Sequence, residues 1–436
     1  MRFRVVGMAA AALCVASPAW AANCGRNEQD VAGRVAACER ILATPGVGDE
    51  AAAQARVILA ETYMAAGKLE PALAQAEAAV KLAPKQPVAL VTRGHVLELM
   101  KRTDAAMADY DAAIGIDPKH TMARVSRGLV RFERRDYEGA RRDYDAAIAV
   151  TADEPSIYVA RARAFYAQQD DESALDDLRK AERLEKPDLD QIYFKAQVLE
   201  ALARYPEALS AYNAALKARP NEAELLVGRA DVLKAMQLTD EALASYRAAQ
   251  HSDPDSVAAY YGQASLLLDS GAYDKAASVL QALLKRQPTD RGARQGLAQV
   301  AAYQQRYDEA LAILDGVIQS FPDAASPYYD RGLIWEAKGD RPHALADLDK
   351  AVALDQTLSD ARFSRGRLLV AAKAYDKAIK DFDAVLENHA DLAGVWWWRA
   401  RAKTLAGDPA GAKHDRDKAM EISPDVVKNL DAKAAA

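Results

Sequence analysis

Six histidines, three cysteines and a large stock of carboxylates are the residues of this 436-residue chain that could do chemistry. The histidines (His95, His120, His251, His343, His389 and His414) stand apart from one another. None falls in a spacing such as H-E-x-x-H and none pairs with the cysteines, so no metal site is expected. The glycines form no G-x-S-x-G elbow, no phosphate-cradling G-x-x-x-x-G-K-S/T loop and no dinucleotide fingerprint. Adjacent acids such as Asp170-Asp171 and Asp176-Asp177 read as the solvated faces of amphipathic helices, not as general acid–base pairs. The chain is therefore expected to be no enzyme, with no catalytic residues and no cofactor. Cys24 and Cys38 are expected to form a disulfide if the chain is exported. Closing that loop of about 15 residues would add about 3 kcal/mol.

A different constellation is repeated. Arg93, Arg127, Arg161, Arg331, Arg365 and Arg399 are each followed sixteen residues later by an aspartate: Asp109, Asp143, Asp177, Asp347, Asp381 and Asp415. Lys195 and Arg229 occupy the same phase without the acid. This covariation inside one chain predicts a contact, an Arg–Asp bridge either within one repeat or to the next. Such a bridge would set register more than it adds stability.

The elements that would position these residues follow a strict period. Pro84, Pro118, Pro220, Pro254, Pro288, Pro322 and Pro424 are separated by multiples of 34, the mark of a repeat array. Eleven 34-residue units fit between residues 53 and 426 without an insertion. Twelve residues before each proline phase stands an alanine, from Ala72 to Ala412; twenty-four before, a Gly or Ala, as at Gly94, Gly128 and Gly366. Small residues at two points per unit let two helices approach closely. In the sixth unit Ala242, Leu243, Tyr246 and Ala249 make a helical stripe, preceded by a first helix with Leu226, Ala230 and Leu233. Asp253-Pro254 ends the second helix, because the residue before proline avoids the helical region. Pro187 is displaced from the phase, and Ala152, Gln356 and Ala390 replace it elsewhere, so looser turns are expected there.

This pattern resembles the tetratricopeptide repeat. The tenth unit reads Phe363, Gly366, Leu369, Tyr375, Ala378, Phe382, and the fifth Ala196, Leu199, Tyr205, Ala208, Tyr212, Ala215, Pro220. The resemblance implies an all-α fold, a right-handed superhelical solenoid of helix-turn-helix repeats. It also implies that the first helix of each unit lines a concave groove, with one residue per unit pointing into it. At that position stand Val57, Val91, Val125, Val159, Tyr193, Val227, Tyr261, Gln295, Tyr329, Phe363 and Trp397. Tyr193, Tyr261, Tyr329, Phe363 and Trp397 are the expected partner-binding residues, since Tyr and Trp dominate binding hot spots. Of the run Trp396-Trp397-Trp398, Trp396 is expected to pack between helices and Trp397 to face the groove. The run reads equally as a sticky anchor or as closure of the last repeat. The lysine with which some family members hold a peptide carboxylate is absent from this phase, so that activity is not expected.

Residues 1–22 read as a secretory signal peptide. Arg2 and Arg4 precede an apolar run from Val5 to Ala16 and the small-x-small site Ala19-Trp20-Ala21. That run is too short for a span of roughly 20 residues, so no stable membrane insertion is expected. Residues 23–52 are expected to cap the first repeat, with a helix near Glu28 to Ala43, and residues 427–436 to form a tail; terminal repeats need covers to stay soluble. The net charge of −6 argues against nucleic acid, whose phosphates need clustered Lys and Arg. The reading is a periplasmic or secreted scaffold or adaptor of the bacterial envelope, with a protein or peptide partner in the groove. The alternative is a factor for the export or binding of envelope polysaccharide.

Overall fold

The computed structural model describes residues 30–435. Among these residues there are twenty-four helices and no strand. The chain divides after Ala215 into two compact units. The first holds a leading helix and repeats one to five; the second holds repeats six to eleven and a closing helix. The expected leader, residues 1–22, and Cys24 lie outside the described residues.

The helix expected near Glu28 to Ala43 runs from Val31 to Leu42, N-capped by the Asp30 carboxylate on the Gly33 amide. It buries Ala37 and Cys38. Cys38 is packed with Ala55 and Leu59 of the first repeat. At the other end the expected tail is a helix, Pro424–Ala435. Its Val427 and Leu430 cover Trp397.

Repeat two shows why each unit is a hairpin. Its helices are Pro87–Leu99 and Thr103–Ile116. Gly94 of the first faces Tyr110 of the second, which is fully buried. A Cβ on Gly94 would come within 2.5 Å of the Tyr110 ring, so small and aromatic residues at these phases are one complementary pair. Tyr144, Tyr212, Tyr246 and Phe382 are buried at the same phase in other repeats. Asp117, the residue before Pro118, is extended and ends the second helix.

Between the two helices every repeat has one residue in the left-handed region, at the same phase throughout. Glycine fills it at Gly67, Gly271, Gly339 and Gly407. Lys101, Arg135, Gln169, Ala203, Gln237, Gln305 and Lys373 fill it with φ between 55 and 63°. A non-glycine residue there costs about 1 kcal/mol, so the turn geometry is imposed by the packing of the helix pair.

All six expected Arg–Asp bridges are present, and each lies within one repeat. Arg93 donates from Nε and Nη2 to Asp109 at 2.8 and 2.6 Å. The pairs Arg127–Asp143, Arg161–Asp177, Arg331–Asp347, Arg365–Asp381 and Arg399–Asp415 share this two-pronged geometry. The carboxylates are buried. In five of the six the remaining Nη1 donates to an aspartate of the preceding repeat, Asp111, Asp145, Asp315, Asp349 or Asp383, at 2.6–2.9 Å. One guanidinium thus ties three helices together. Its fork matches carboxylates that approach from two sides.

Where the bridge is missing the packing changes. In repeat five Lys195 replaces the arginine and Ala211 the aspartate, and Lys195 pairs instead with Glu182 at 2.5 Å. A cavity of about 350 Å³ opens there, lined by Leu178, Glu182, Lys195, Leu199 and Ala211. The displaced Pro187 lines it too, in the loop after the helix Asp171–Leu184.

Candidate partner-binding surface

First helices of successive repeats touch one another directly. In the first unit Asp49–Ala65 meets Pro87–Leu99, which meets Thr121–Glu133, which meets Pro155–Ala167. In the second unit Ala223–Ala235 meets Val257–Asp269, Arg291–Tyr303 meets Ala325–Lys338, and Ser359–Ala371 meets Ala393–Ala406. The first helices of these repeats therefore lie side by side and present one wall of each unit.

Polar links cross this wall from repeat to repeat. His95 Nε2 lies 2.7 Å from Ser126 Oγ, and Lys234 donates to Ser265 at 2.9 Å. Arg367 donates to Glu336 at 3.0 Å, and Gln295 donates to Asp330. Burial lowers the His95 pKa to about 4, so the ring is neutral near pH 7. Burial likewise raises the carboxyl of Asp330 above the usual range.

Four of the five expected groove residues are half-buried on this wall: Tyr193 in the first unit, and Tyr261, Tyr329 and Phe363 in the second. They fall in repeats five, seven, nine and ten, at one phase of the first helices. Each also leans on its own framework. Tyr193 sits edge-on to Tyr212, ring centroids 6.0 Å apart, and Phe363 lies 6.0 Å from Phe382. The Tyr261 hydroxyl donates to Asp290; burial, and after it this contact, raises its pKa. Burial raises that of Tyr329 as well.

Trp397 departs from the expectation. It is buried, 5% exposed, beneath the closing helix, and its Nε1 donates to Asp431 at 2.8 Å. The closing helix takes the place a further repeat would occupy, so this phase is filled by the chain itself. Trp396 packs under Arg399, 4.6 Å from the ring centroid, and donates to the carbonyl of Ala390. Trp398 lies edge-on to Trp397 with Arg367 and Arg401 over its ring. The three tryptophans thus close the last repeat.

Sequence reasoning passed over one cluster on the wall of the first unit. Arg163 lies over the ring of Phe194 at 4.8 Å, and Tyr166 meets Phe194 edge-on at 5.6 Å. The signal was in the sequence: arginine recurs at this phase as Arg367 and Arg401.

Comparison with known proteins settles the family. Residues 57–121, 125–187, 193–237, 227–291 and 339–393 match one tetratricopeptide repeat model, and residues 267–331 match a second, together well over half of the chain. The chain belongs to the tetratricopeptide repeat family. Membership makes this tetratricopeptide repeat chain a helical repeat solenoid and a protein–protein interaction scaffold. A mouse protein, DnaJ homolog subfamily C member 3, is 38% identical over 68 residues, which are 16% of this chain and 14% of that protein. Among solved structures, yeast Tom70 is 16% identical, with 94% of this chain and 97% of Tom70 covered at a TM-score of 0.52. A tetratricopeptide repeat protein of Parabacteroides merdae is 20% identical, covering 61% of this chain and 99% of its own at 0.46. At 16% identity the likeness to Tom70 speaks to fold alone. Among the described residues no helix is long and apolar enough to cross a membrane, and no group of His, Cys, Asp or Glu could hold a metal ion.

Proposed function

We propose that this chain is a non-catalytic adaptor of the bacterial cell envelope that holds an extended peptide or protein segment along its first-helix wall. The observation that carries the reading is Tyr261, Tyr329 and Phe363 of the second unit, half-buried aromatics at a single phase of the first helices, a phase that Tyr193 holds in the first unit. Rings anchored on one side and open on the other offer contact area at little entropic cost. The envelope location rests on the leader-like residues 1–22, and a Cys24–Cys38 disulfide would suit that compartment.

The test is affinity capture from envelope extract on the immobilised mature chain, beside a variant carrying Tyr261→Ala, Tyr329→Ala and Phe363→Ala. A protein retained by the native chain and lost from the variant supports the reading. Equal retention on both, or none on either, refutes it.

One observation favours the polysaccharide alternative. Tyr303 is 54% exposed and lies nearly parallel to Tyr273, centroids 5.7 Å apart and planes 8° apart. Such a flat platform suits a sugar ring. Retention of a glycan, lost on Tyr303→Ala and not on the triple variant, would move the function to that platform.

A further inference from the structure

Among the first-helix arginines, those of the bridges are each held by a buried carboxylate, whereas Arg163 is not. It makes no hydrogen bond or ion pair with any described residue. Its guanidinium face lies on Phe194, which leaves the N–H edges of the fork without an acceptor. Burial lowers its pKa, and Asp190 and Asp188 oppose that shift from beyond ion-pair distance. Asp188 is itself engaged as the N-cap of the helix Leu189–Ala201, accepting from the Gln191 amide at 2.8 Å. A partly desolvated cation without a partner is unfavourable, and a carboxylate relieves it.

Two other arginines stand at this phase, and Arg401 lies over the rings of Trp397 and Trp398 without a carboxylate of its own among the described residues. Arg367 stands six repeats later in the same register and receives Glu336 of the preceding first helix at 3.0 Å. The residue in register with Glu336 before Arg163 is Phe132. On the preceding first helix the residues in these registers, Leu129 and Phe132, are apolar, and the carboxylates whose charges act on Arg163, Asp188 and Asp190, lie beyond ion-pair distance. Leu129 is 37% exposed.

Resting on the first-helix wall as the binding surface, we propose that Arg163 is an acid-recognising subsite. It takes a glutamate or aspartate side chain of an extended partner peptide whose neighbouring residues are apolar. The carboxylate accepts two N–H bonds from the fork, as Asp143 does from Arg127, while the flanking apolar side chains lie against Leu129 and Phe132.

The experiment is fluorescence polarisation on the full mature chain, with a fluorescein-labelled peptide of alternating glutamate and leucine and its glutamine-for-glutamate twin. The native chain is expected to bind the acidic peptide at least about tenfold more tightly, the preference a charged hydrogen-bond pair confers. Arg163→Gln should abolish that preference, while Arg142→Gln, on an exposed second-helix arginine, should leave it unchanged. Arg163→Lys keeps the charge without the fork and should retain part of the preference; it serves if the glutamine variant fails to fold by circular dichroism. Equal affinity for both peptides, binding of neither, or an unchanged preference in Arg163→Gln overturns the subsite. Capture with the Tyr261, Tyr329 and Phe363 variant decides separately whether the wall binds partners at all.

Discussion

Asp143 offers the sharpest test of the bridge architecture. It is 1% exposed and accepts from Arg127 Nε at 3.0 Å, Arg127 Nη2 at 2.5 Å and Arg131 Nη1 at 2.8 Å. Asp143→Asn removes the charge and keeps the shape. Breaking a buried pair by removing one partner costs about 3–5 kcal/mol. Here the two arginine side chains remain 15% and 26% exposed and Arg127 keeps Asp111, so the lower end, about 3 kcal/mol, is expected. The variant Arg127→Met with Asp143→Leu, made in an Arg131→Met background so that no donor to Asp143 is left unpaired, should lose less than Asp143→Asn alone, about 1–2 kcal/mol. A well-packed apolar pair is often an even exchange for a buried ion pair. Because a repeat array need not unfold as one unit, the assay is native-state hydrogen exchange of the repeat-three amides, backed by urea titration. A loss below about 0.5 kcal/mol in Asp143→Asn would place the bridge among screened surface pairs and refute the reasoning. So would a combined variant that loses more than the single.

Three further outcomes are expected. His95, held neutral by burial at a pKa of about 4 against about 6.5 when unfolded, binds its proton more readily in the unfolded chain. Stability should therefore fall as pH drops from about 6.5 to 4, by at most about 3 kcal/mol, and His95→Gln should flatten that slope in urea titrations at each pH. Ala203 adopts φ 55° where other repeats use glycine, so Ala203→Gly should stabilise by about 1 kcal/mol and Gly271→Ala, at φ 72°, should cost about as much. Arg229 already reaches Ser245, which is 1% exposed, at 2.8 Å, and its pKa is lowered by burial. Ser245→Asp should complete a seventh bridge and raise the melting temperature of the second unit, by about 1 kcal/mol of added stability.

The helix pairs, their boundaries and the six internal bridges were legible because each leaves a periodic trace in one chain. Gly94 against Tyr110 is a compositional pair, and Arg93 with Asp109 a covarying one. The second carboxylate of five of the six bridges was equally legible and was missed. Asp111, Asp145, Asp315, Asp349 and Asp383 stand sixteen residues before the arginines, and only the forward spacing was read. What periodicity could not deliver is the state of a residue at an end or beside a gap. Trp397 has the phase of a groove residue, yet the closing helix Pro424–Ala435 covers it. That helix lies past the last full repeat, where no register predicts contact. The cavity beside Lys195 and Ala211 is a similar case: the sequence marked the missing bridge but not whether neighbours would close over the space.

Arg161 and Arg163 show how one helix carries two separate demands. They are two residues apart, about 200° around the helix axis, and so point to nearly opposite sides of Pro155–Ala167. Arg161 meets Asp177 of its own repeat and Asp145 of the preceding one, and all its fork is spent on joining helices. Arg163 faces the wall with its fork open. Substitution at the first phase should be felt as stability and at the second as recognition. The bridges hold each repeat in register whatever stands on the wall, so wall residues can vary from Leu129 to Arg163 to Arg367 without disturbing the stack. A chain in which Arg163→Gln lost as much stability as Asp143→Asn would show that the two faces are not independent. The wall would then have to be read as framework instead of binding surface.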